Sequence, residues 1–234
     1  MICPLAVQRP ISVNHGGPMR SHLGLVLHVQ EGNGSLFGWF SNPAARVSAH
    51  FWLAKDGTLE QYLDTDTETA WAQAAGNPDY LSCETEGFVG EALTPNQITK
   101  FAALLNWCGW MYAIPAVGPV PHGARGLTPH CNPAGSVDPT WGGHTCPGPV
   151  RLGQIPIILA VAHQPEPAPP YMTGEEDMDS TVLADGTVVS HFRTPANHYI
   201  EMTRKPGQTG TDPKDGSVSL IDITAAYPGF EAAG

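Results

Sequence analysis

Four of the six residues from Pro165 to Pro170 are proline. Proline lacks a backbone N–H and fixes φ, so neither a helix nor a central strand runs through this stretch. It divides the 234 residues into a leading segment large enough to bury its own core and a shorter tail. The reading is a domain over 1–163, a proline-rich linker over 164–173 and a small acidic module over 174–234. Charge follows the division. The chain carries a net −11; residues after 163 hold 11 acidic and 4 basic side chains, or −7, leaving −4 for the first 163.

That acidic balance excludes binding to a nucleic-acid backbone, which needs clustered Lys and Arg. Five scattered cysteines (Cys3, Cys83, Cys108, Cys131 and Cys146) are odd in number and unlike a disulfide framework. The opening MICPLAVQRP lacks a basic segment followed by an apolar run, so no signal peptide is expected. The run from Ile157 to Ala162 is far too short for membrane insertion. These features predict a protein synthesised in a cytoplasm.

Within the leading segment, LGLVLHV (23–29) is an apolar strand that delivers His28 to a sheet edge. VSAHFWLAKDGTLEQYL (47–63) is two strands around an Asp-Gly turn, and LSCETE (81–86) is another strand. Thr94-Pro95 caps a helix over 95–112, whose stripe includes Phe101, Leu105 and Cys108. Residues 114–149 read as one long loop rich in proline and glycine, a kind of segment usually kept for function. A short helix follows over 156–163. In the tail, STVLADGTVVSHFRT, HYIEMTR and VSLIDIT read as strands, the first stretch a hairpin around Asp185-Gly186.

Two histidines and a cysteine at strand and loop ends (His28, His130 and Cys146) form a competent zinc set, although spacing alone does not bring them together. In order along the chain, LVLHVQ, VSAHFWLAKDGTLEQYL, AWAQAAGN, LSCETEG, LTPHCNP and HTCPG resemble the zinc-dependent N-acetylmuramoyl-L-alanine amidases of the amidase-2 and peptidoglycan-recognition type, common among phage endolysins. The resemblance covers residues 20–162. It implies an α/β fold with a central mixed β-sheet flanked by helices, followed here by the small β-rich module of unassigned role, with wall binding among its candidates. The implied substrate is peptidoglycan.

Carried over position by position, the resemblance makes His28, His130 and Cys146 the zinc ligands, with a fourth position open as catalytic zinc requires. Glu84 becomes the general base and then acid, with Glu86 as a rival two residues on. His144 stands where many relatives have lysine, which implies donation of a hydrogen bond to the oxyanion; the alternative is a fourth ligand that closes the site. Trp71 and Asn77 of AWAQAAGN become candidate substrate contacts, Trp71 being equally readable as core. Two departures stand out: Ala49 where some relatives have tyrosine, and Ala72 where relatives often have histidine. His50 reads as a buried residue that packs or supports the ligands from behind, not as a ligand.

The implied activity is zinc-dependent hydrolysis of the amide between N-acetylmuramic acid and L-alanine, in host-cell lysis by an enzyme that reaches the wall after release. The alternatives are a cytoplasmic muropeptide-recycling amidase and a recognition module that binds peptidoglycan without cutting it. A nucleobase deaminase lacks its H-x-E and P-C-x-x-C motifs, and thioredoxin-type chemistry lacks C-x-x-C.

Overall fold

A computed structural model describes residues 1–164 and the backbone of 178–182, 188–193, 199–204 and 218–221. The chain divides into two units, Met1–Gln164 and Pro165–Gly234. The linker reading and the Asp185-Gly186 turn lie outside the described residues.

The first unit is built on a six-stranded mixed sheet. Its strands are β1 (Val7–Gln8), β2 (Gly24–Val29), β3 (Phe51–Leu53), β4 (Leu59–Gln61), β5 (Tyr80–Thr85) and β6 (Gly126–Pro129). Their order across the sheet is β1-β4-β3-β5-β2-β6. The β3–β4 hairpin is antiparallel, and β5, β2 and β6 run parallel to one another. Strand β6 lies inside the segment read as a single long loop. Its glycine and proline hide the strand pattern, and its pairing with β2 creates it. Gly24 permits this approach, since a Cβ there would meet the Gly126 carbonyl oxygen at 2.1 Å.

Strand alternation assigns the two faces of the sheet. Leu25 and Leu27 of β2, Phe51 and Leu53 of β3, and Leu81 and Cys83 of β5 pack into one buried cluster. That cluster is closed by Phe101, Leu104, Leu105 and Cys108 of α2 (Pro95–Tyr112), with Ile155 and Ile158 of α4 (Ile155–Ala162). Helix α2 begins where the sequence places it, because Thr94 and Gln97 form a reciprocal capping box. Such a cap is worth about 1 kcal/mol. It ends at Ala113, which takes a left-handed conformation.

The alternate residues, His28, Trp52 and Glu84, therefore turn to the other face. There the short helix α1 (Phe37–Phe40) helps to cover Trp52 and Tyr62, through Leu36 and Phe40. The last short helix is α3 (Gly148–Leu152), whose Arg151 is fully buried. Arg151 donates to the carbonyls of Thr85, Glu86 and Glu91 and so fastens the end of β5.

In the second unit, β7 (Met178–Val182), β8 (Val188–Arg193), β9 (Tyr199–Arg204) and β10 (Val218–Ile221) form an antiparallel sheet in the order β10-β9-β8-β7. No helix among the described residues is long and apolar enough to cross a membrane.

Candidate metal centre and its cavity

Sheet register alone brings the first two site residues together. His28 of β2 is paired directly with Glu84 of β5, and Glu84 with Trp52 of β3. His130 follows β6, where its N–H bonds to the Leu27 carbonyl at 3.3 Å. Cys146 arrives from the turn before α3, held by Cys131 N–H donating to the Cys146 carbonyl at 2.7 Å. One ligand atom from each of His28, His130 and Cys146 lies within 4.8 Å of the other two.

Outer hydrogen bonds engage one ring nitrogen of each histidine. His130 Nε2 is 2.6 Å from the Trp141 carbonyl oxygen, which can only accept. The proton therefore sits on Nε2 and leaves Nδ1 free. His28 Nε2 is 3.3 Å from the Gln73 side-chain oxygen, while its Nδ1 lies 3.8 Å from Cys146 Sγ. Burial drives His28 well below the ordinary imidazole range and His130 down to about 4, so both rings are neutral and able to ligate.

Glu84 stands beside this cluster, its Oε1 3.7 Å from His28 Nδ1. Its Oε2 is buried with no hydrogen-bond partner. Burial pushes the carboxyl up to about 8, against the nearby Arg151 charge. Burial also raises the Cys146 thiol, and the Glu84 charge adds to it; the Val29 N–H bonded to Sγ acts the other way. Two neutral imidazoles, a thiol able to ionise on binding and an orphaned carboxylate oxygen fit a zinc ion held by His28, His130 and Cys146.

The cluster opens into a cavity of about 420 Å³, whose lining includes Glu84, His144 and Trp71. His144 is exposed, its ring 5.1 Å from that of His130, and it stands outside the three-atom cluster. Trp71 is 39% exposed on this cavity. Trp39 of α1 is exposed on the same cavity. No periodic signal in residues 30–46 marks it.

Asn77 holds backbone. It does not line the cavity; its Oδ1 accepts the backbone N–H groups of Ala72 and Gln73, closing a tight loop. Glu86 is likewise occupied, its two oxygens accepting the N–H groups of Gly34 and Lys55. His50 is fully buried, exchanging hydrogen bonds with Ser82 and donating to the Glu68 carbonyl, as expected of a packing residue. His122, without any motif around it, has a scaffold role. It stacks on Trp141 at 3.5 Å and bonds to Asp138 and the Pro129 carbonyl, beside His130.

The family profile described as N-acetylmuramoyl-L-alanine amidase, Amidase_2, matches residues 18–149, more than half of the chain. The chain belongs to the Amidase_2 family. Among solved structures, this family member is similar to the Staphylococcus aureus hydrolase AmiA, solved in complex with its ligand. Identity is 15% over 70% of this chain and 85% of that one, with a TM-score of 0.54. It is similar also to a selenomethionine derivative of AmpD, with 21% identity over 67% of this chain and 96% of that one and a TM-score of 0.50. The Drosophila peptidoglycan recognition protein PGRP-SA is a more distant likeness, with 13% identity over 61% and 82% of the two chains and a TM-score of 0.42. At these identities the first two likenesses establish the fold. No curated protein sequence matches the chain.

Proposed function

We propose that this Amidase_2 member is a zinc amidase that cleaves peptidoglycan between the lactyl group of N-acetylmuramic acid and L-alanine. The observation that carries the reading is the pairing of the His28–His130–Cys146 cluster with the unpartnered Glu84 Oε2 in one cavity. A module that only bound peptidoglycan has no use for a buried carboxylate poised beside three ligating side chains.

His28, His130 and Cys146 hold the metal. When bound, zinc supplies the Lewis acidity that activates water at neutral pH. Glu84, whose Oε2 is unpartnered, accepts the proton of the attacking water and returns it to the departing L-alanine amine. His144 donates a hydrogen bond to the oxygen that gains negative charge as the amide carbon becomes tetrahedral. Trp71 and Trp39 offer apolar faces to the muropeptide at the cavity mouth.

In this reading residues 1–163 are the catalytic domain, 164–173 a linker and 174–234 an accessory module with wall binding among its candidate roles. That arrangement favours host-cell lysis, with the enzyme acting on the wall after release from the cytoplasm, over muropeptide recycling. Digestion of purified wall material tests the chemistry. The expected products are peptides with a new L-alanine amino terminus, formed only by zinc-loaded protein. Wall binding without such release supports the recognition-module reading instead.

A further inference from the structure

Gln73 lies in the segment AWAQAAGN and is fully buried. Its side-chain NH2 is 3.0 Å from the Tyr80 carbonyl oxygen and 3.5 Å from that of Gly76. Both are acceptors only, so the amide cannot turn round without setting oxygen against oxygen. The Gln73 side-chain oxygen must therefore face His28 Nε2, at 3.3 Å. An oxygen in that place accepts, so the His28 proton is held on Nε2 and its Nδ1 lone pair is turned toward Cys146.

The loop that carries Gln73 is itself rigidly set. Asn77 Oδ1 receives the Gln73 N–H at 2.7 Å. Gly76 lies so close to Trp141 that a Cβ there would meet the indole ring at 2.6 Å. Trp141 is the residue whose carbonyl accepts a hydrogen bond from His130 Nε2. One packed unit, the 73–77 loop against Trp141, thus makes the outer hydrogen bond of both histidines.

We propose that Gln73 is a positioning residue that selects the Nε2–H tautomer of His28 and so presents Nδ1 to the metal. This rests on the zinc reading above. Ligating histidines commonly make such outer bonds, and their loss lowers metal affinity about 10- to 100-fold.

The test combines chelator competition for zinc with nitrogen-15 NMR of the histidine rings in metal-free protein. Wild-type His28 is expected as the Nε2–H tautomer. Gln73→Met, close in size but with no acceptor, is expected to mix the tautomers and weaken zinc binding about 10- to 100-fold. Gln73→Glu keeps an acceptor oxygen toward His28 while its buried carboxyl, in the protonated form, donates to the Tyr80 carbonyl in place of the amide NH2, so it should hold zinc within about threefold of wild type. A purely packing role would leave the tautomer unchanged and would not distinguish Met from Glu in this way. Wild-type His28 protonated on Nδ1, or Gln73→Met with wild-type zinc affinity, overturns the proposal alone. Wild-type protein that takes up no zinc overturns the metal reading and the proposal with it. Should Gln73→Met fail to fold, the wild-type tautomer and the Gln73→Glu affinity decide.

Discussion

Cys146 Sγ accepts the backbone N–H of Val29 at 3.2 Å, across 117 residues of chain. The bond joins the turn before α3 to the residue that follows His28 on β2. It places the thiol beside His28 Nδ1 at 3.8 Å and supplies a donor that favours the thiolate once a cation is present. Two members of the cluster far apart in sequence are thus held as one unit by the backbone.

Glu84 has one oxygen near His28 and the other buried without a partner. Glu84→Gln keeps the shape and removes the base. Zinc content is expected to stay at the wild-type level while turnover falls by about 10²- to 10⁴-fold, the usual worth of a positioned general base. Metal analysis and a rate assay on the same preparation check this. Loss of zinc in the variant would instead make Glu84 part of the metal shell.

His144 is exposed on the cavity and outside the ligand cluster. His144→Ala is expected to retain zinc and to lose about 10²- to 10³-fold in kcat, as for one oxyanion donor, and His144→Lys to recover much of the rate. Zinc loss in His144→Ala would show a fourth ligand and a closed site.

His50 makes stability fall in acid. Burial lowers its pKa to about 3, against about 6.5 in an unfolded chain. Between those values the unfolded chain binds a proton that the folded one does not, so stability drops as pH falls from about 6.5 toward 3. The full effect is on the order of 4–5 kcal/mol. Urea unfolding from about pH 7 to pH 4 measures the slope. His50→Gln should be less stable at neutral pH and lose this part of the slope; an unchanged slope contradicts the assignment.

The site was legible in the sequence where strand alternation carries it. LGLVLHV places an apolar series on one face and His28 on the other, and LSCETE places Leu81 and Cys83 on one face and Ser82, Glu84 and Glu86 on the other. That their two strands pair in register is a tertiary fact, and the motif order stood in for it. Strand β6 was not legible, because GLTP gains its strand form from β2 and not from its own residues. The roles of Asn77 and Gln73 were hidden for a related reason. Both are polar residues in one short loop, and only the folded hydrogen bonds show that Asn77 ties backbone while Gln73 reaches His28. Periodicity has nothing to say about either.

The central claim is that His28, His130 and Cys146 form a catalytic zinc site, and Cys146→Ser tests it most directly. Zinc content and amidase turnover are measured on wild type and variant prepared side by side, with circular dichroism to verify the fold. The account predicts one zinc ion per wild-type chain, and a folded variant that has lost both the metal and the activity. A Cys146→Ser protein with full zinc and undiminished turnover would contradict it.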